Sequence, residues 1–148
     1  MELTKQVAAK FDHEKLDVYR FELEFIEWVT PLLAAAAASV KGRTREVCDQ
    51  LDRASLSALL NTAEGNGKRQ RQIRAKFFDD ARGSATECAA CLDALVVKGV
   101  VSEQRIFTGK ELLLKIVSML SGLVNRFDGS NDALREDSAD YVVEEATV

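Results

Sequence analysis

The chain has 148 residues, 47% of them hydrophobic, a single proline and a formal net charge of −4. That is enough apolar material for one domain to bury a core without disulfide or metal support, and the scarcity of proline and of β-branched clusters points to an all-α fold. The amino terminus lacks a continuous apolar segment behind a basic start, and the longest apolar run, Pro31 to Ala38, is far short of the roughly 20 residues that cross a bilayer. With three cysteines, an odd number that suits free thiols in a reducing compartment, these features predict a soluble cytoplasmic protein with no membrane contact.

Residues 1–11 read as an amino-terminal extension, and helical periodicity then organises the chain from Asp12 to Phe127. Asp12 is the expected N-cap of a first helix, with Glu14 in its first turn. Leu16, Tyr19, Leu23, Ile26 and Leu33 form one apolar stripe of this helix, and Val18, Phe21, Phe25, Trp28 and Leu32 form another on nearly the opposite side. Pro31, behind Thr30 as a cap, is expected to kink or restart the helix, which ends near Val40-Lys41-Gly42.

A second helix is predicted from about Thr44 to Ala63, with Val47, Leu51, Ala54 and Ala58 on one face. The third runs from near Arg69 to Gly99, which reads as a left-handed C-terminal cap; its seam is Phe77, Ala81, Ala85, Cys88, Leu92 and Leu95, and small residues including Gly83 would admit a neighbour closely. Ser102 caps the fourth, whose stripes include Ile106, Leu113, Val117, Leu120, Val124 and Phe127. Four helices with short connections make an antiparallel up-and-down four-helix bundle over residues 12–127. Residues 128–148 hold seven acids and one arginine, an acidic tail expected to be mobile, which leaves residues 1–127 at +2.

The stretch Asn61 to Lys76 joins the second and third helices with two glycines and five bases. It is not a phosphate-binding P-loop: a helix rather than a strand precedes Gly65, and Gly65-Asn66-Gly67-Lys68 lacks the required spacing. The glycines are expected to end the second helix and turn the chain. Cys88-Ala-Ala-Cys91 sits in an alanine-rich helical pattern with no second cysteine pair, so burial is its expected role. The single histidine, His13, lies at a helix start, where neither a catalytic triad nor a di-iron site can be assembled; no catalysis, metal or cofactor is expected.

Leu16-Asp17-Val18-Tyr19, then Arg53-Ala54, Ser57, Asn61, Ala63-Glu64-Gly65, Gly67-Lys68, Phe78 and Gly83-Ser84-x-x-Glu87, form an ordered series. It resembles the motifs of the bacterial four helix bundle protein family, also called the 23S rRNA intervening-sequence proteins. The resemblance covers about Phe11 to Phe127. The chain departs from the family's pattern at Leu59 (proline), Asn66 (an aromatic) and Lys68 (arginine), and Thr30 to Arg45 match poorly. The resemblance implies a homopentameric barrel of four-helix protomers. It also implies kinship with the accessory variability proteins of diversity-generating retroelements, which pair with a reverse transcriptase and carry basic surfaces suited to nucleic acid.

In a hairpin turning near Gly67, residues of the second and third helices whose numbers sum to about 140 face each other, since rise per residue is equal. This sets Arg53 against Glu87 as a register-fixing ion pair and Ser57 against Ser84, while Asn61 and Glu64 serve backbone groups at the helix end. Two apolar faces on each of the first and fourth helices predict a homo-oligomer, ring-like as the resemblance implies, with Phe21, Phe25 and Trp28 at or near its interface. Two functional readings stay open for Lys68, Arg69, Arg71, Arg74 and Lys76. They either contact phosphates of RNA or DNA, or form a solvated helix face on a protein-interaction scaffold.

Overall fold

A computed structural model describes residues 10–39 and 43–128. The expected amino-terminal extension and acidic tail therefore lie almost wholly outside the described residues, as does Val40-Lys41-Gly42, near the expected end of the first helix; that helix stops at Ala38. A 3-10 turn at Asp12–Lys15 precedes α1 (Asp17–Ala38), α2 (Arg45–Asn66), α3 (Arg71–Val97) and α4 (Glu103–Phe127), with no strand among the described residues. Each helix runs alongside two others in the cyclic order α1, α2, α3, α4, with the backbones of the diagonal pairs apart and their side chains sharing one core. The α2–α3 and α3–α4 faces are the most extensive.

The first helix thus begins at Asp17 rather than after Asp12. The Phe11 N–H donates to Glu14 Oε2 at 2.7 Å, which closes the tighter turn before the α-helix can start. Pro31 neither ends nor restarts α1, which continues to Ala38. Pro31 and Glu27, whose carbonyl loses its intrahelical donor, are both exposed, so water can serve the freed oxygen.

Between the two stripes of α1 the structure selects the second. Val18, Phe25, Val29, Leu32 and Ala36 are buried with Leu51 of α2, Phe78, Ala81, Ala85, Leu92 and Leu95 of α3, and Ile106, Leu113, Ile116 and Leu120 of α4. Phe25, expected at or near a subunit interface, is only 2% exposed within one chain and so has almost no surface to offer a neighbour. Phe21 and Trp28 are half-buried on the flank toward α4, under Lys115 and Arg105 respectively. The large apolar residues left exposed lie elsewhere: Phe11 before α1, Leu23 on α1, Leu56 and Leu60 on α2, Ile73 and Val97 on α3, Phe107 and Leu114 on α4.

Helix ends follow local chemistry. Gly99 has φ +76, with Gly99 N–H on Val96 O at 2.9 Å and Val100 N–H on Leu95 O at 3.0 Å, the paired bonds of a Schellman cap. Ser102 Oγ accepts from Arg105 N at 3.1 Å. Only one of the two glycines expected to end the second helix does so. Gly67 is the C-cap, whereas Gly65 lies within α2 and is needed for contact: a Cβ there would sit 2.7 Å from Phe77 Cβ of α3. Gly83, by contrast, faces open space.

Candidate nucleic-acid interface

Polar hydrogen bonds tie α2 to α3. Ser57 Oγ and Ser84 Oγ are 3.0 Å apart, as the hairpin geometry predicts, and Asn61 Nδ2 donates back to Ser57 O at 3.0 Å and to Ser57 Oγ at 3.1 Å. Asn61 therefore serves a carbonyl one turn earlier instead of the helix end. Glu64 is exposed, 3.9 Å from Lys68 Nζ.

The direct Arg53–Glu87 ion pair is not formed. Gln50, one turn before Arg53, donates through Nε2 to the Glu87 carboxylate and accepts from Arg53 Nη2 at 2.8 Å. All of this is at the solvent edge, where a neutral amide bridges two charges that water already stabilises. Little stability is expected from it.

At the end of the bundle where α2 stops, α3 starts and α4 stops, the five predicted basic residues take different roles. Lys76 reaches Asp80 at 3.2 Å, and Lys68 lies 5.2 Å over the Phe77 ring. Arg74 is half-buried: Nη1 donates to Lys68 O at 3.1 Å, Nη2 to Asn66 Oδ1 at 3.0 Å, and Nε is buried without a partner. Asn66 in turn donates to Asp12 Oδ2 at 2.8 Å, so the turn before α1, the end of α2 and the start of α3 are joined by one chain of bonds. Arg71 donates to the backbone carbonyl of Arg126 at the end of α4. Arg69 is exposed with no ion pair among the described residues.

Two residues that sequence reading left out of the site belong to it. The Phe127 ring, 5.9 Å from that of Phe78, has three guanidinium carbons around it: Arg74 at 4.5 Å, Arg71 at 5.1 Å and Arg126 at 5.4 Å. Arg126 is more than fifty residues from Arg71 in sequence, and no local pattern marks it. α3 opens here with no acid in its first turn and no side-chain cap, so its unpaired N–H groups add positive potential.

Elsewhere the structure buries a carboxyl group. Glu22 of α1 is 2% exposed; Thr62 Oγ1 donates to its Oε2 at 2.7 Å, and Oε1 has no partner. Burial pushes its pKa from 4.5 up to about 8, only partly opposed by the Thr62 bond. The sequence carried a signal for it: Val18, Glu22, Phe25, Val29, Leu32 and Ala36 alternate spacings of four and three, with one acid in the buried arc. Burial likewise raises the thiols of Cys48, Cys88 and Cys91, Cys88 to about 12 with help from Cys91 and Glu87, so none favours its reactive thiolate form. Among the described residues no group of three or more His, Cys, Asp or Glu is placed to hold a metal ion, and no helix is long and apolar enough to cross a membrane.

The model of one protein family, described as 23S rRNA-intervening sequence protein, matches residues 14–122. No curated protein matches the chain.

Proposed function

Because the chain belongs to the 23S rRNA-intervening sequence protein family, we propose that it acts as a non-catalytic, oligomeric accessory protein that associates with RNA through the basic end of its bundle. The observation that carries this reading is the gathering of Arg69, Arg71, Arg74 and Arg126 at one end, none of them ion-paired among the described residues, beside an uncapped helix N-terminus. Such a surface attracts phosphate groups without reading bases, since the Phe77 and Phe127 rings beside it are already faced by cations. Affinity for labelled RNA should fall steeply between low and moderate salt, as phosphate neutralisation releases condensed counterions. Arg69→Gln should weaken binding modestly and flatten that salt dependence. Absence of binding at low salt would favour the protein-interaction scaffold, a reading supported by the internal use of Lys68 and Lys76.

The leftover apolar surface supports the oligomer. Leu56 and Leu60 are 50% and 55% exposed on α2, and Phe107 and Leu114 are 61% and 57% exposed on α4, its diagonal opposite. Two unlike apolar patches on opposite sides suit head-to-tail contacts, which form a ring where the rotation between subunits closes; five subunits is the number the family resemblance implies. Leu56→Asp combined with Leu60→Asp should release helical monomers in sedimentation. An unchanged assembly would exclude this face.

A further inference from the structure

We propose that Arg71, Arg74 and Arg126 form a single phosphate-binding site arranged about Phe127. The proposal deepens the RNA-associating reading and rests on it for the physiological ligand, a phosphodiester of the RNA backbone. All three guanidinium carbons lie within 5.4 Å of one ring centroid, yet none of the three meets a carboxylate among the described residues. Their acceptors are neutral: Arg71 bonds the carbonyl of Arg126, and Arg74 bonds the carbonyl of Lys68 and the amide oxygen of Asn66.

Three like charges held this close repel one another, and the ring face and carbonyl dipoles offset that only in part. A phosphate oxygen offers the full negative charge that is missing, and guanidinium forks match its geometry. The division of labour follows from burial. Arg74 is half-buried and fixed by two bonds, so it supplies a positioned charge, while Arg71 and Arg126 are exposed and come from different helices, so their remaining donors can turn to a ligand. Phe127 is the post that keeps the three together, and the cap-free start of α3 adds potential of the same sign.

The test uses the full-length protein, its Arg71→Gln/Arg126→Gln variant, and a control, Arg43→Gln/Arg45→Gln, which removes two exposed arginines from the other end of the bundle. Binding of inorganic phosphate is measured by calorimetry against chloride at matched ionic strength, and binding of a short single-stranded RNA by fluorescence anisotropy. Both exchanged arginines of the test variant are exposed, and circular dichroism checks that helix content is kept. Expected is a loss of phosphate and RNA affinity of about tenfold for each arginine in the test variant, with the control close to native. Equal losses in test and control would overturn the site in favour of diffuse charge, as would undiminished phosphate binding by the test variant. Phosphate binding that depends on Arg71 and Arg126 but comes without RNA binding would keep the site and remove the RNA reading. RNA binding untouched by the test variant would keep the RNA reading and remove the site.

Discussion

Glu22→Gln is expected to make the protein more stable at pH 8 by a few kcal/mol while changing little near pH 5. The carboxyl group ionises near 4.5 when the chain is unfolded and near 8 when it is folded. Between those values the folded chain holds a proton that the unfolded chain has released, so native stability falls as the pH rises, by at most about 1.4 kcal/mol per unit. Below the lower value both states are protonated and the penalty vanishes; above the upper value it is complete. Glutamine keeps the shape and can still accept the Thr62 hydroxyl, but cannot ionise. Urea denaturation of both proteins at pH 5, 6.5 and 8 is the measurement. Parallel stability curves would show that the carboxyl is not held neutral by the fold.

Gly109→Ala should be the most damaging single-methyl addition in the bundle. A Cβ at Gly109 of α4 would lie 2.2 Å from Cζ3 and 2.3 Å from Cη2 of Trp28, so the indole must leave its place between Phe25 and Arg105. The helix gains up to about 1 kcal/mol from alanine, whereas overpacking typically costs about 1–3 kcal/mol and the displaced indole loses its burial as well. A net loss of about 2 kcal/mol follows, with a red shift in emission from Trp28, the single tryptophan. In a Trp28→Val background the same alanine should be neutral or stabilising, because the clash is gone. Equal costs in the two backgrounds would refute the contact.

What could be read from the sequence was what depends on near neighbours or on regular spacing. Gly99 and Ser102 act within one turn of their own positions, and both perform the expected caps. The Ser57–Ser84 contact follows from equal rise along two antiparallel helices. The Arg53–Glu87 expectation used the same geometry but overlooked Gln50, which reaches the same carboxylate from one turn away. The burial of Phe25 was hidden for a different reason: α1 carries two apolar stripes, and periodicity cannot say which of them the rest of the bundle will cover. The arginine cluster shows the limit most clearly. Arg71 and Arg74 belong to a visible basic run, but their company with Arg126 and Phe127 exists only because α4 ends where α3 begins.

The cyclic order of the helices also bears on how the chain is made. α1 and α4, the first and last of the four described helices to leave the ribosome, are neighbours, and the backbones of α1 and α3 stay apart. Until residues past Glu103 emerge, the flank of α1 that bears Phe21 and Trp28 has no cover within its own chain, however well α2 and α3 have paired. The nascent protein thus displays Trp28 and an incomplete core until α4 has emerged, and only then does the ring of four helices close.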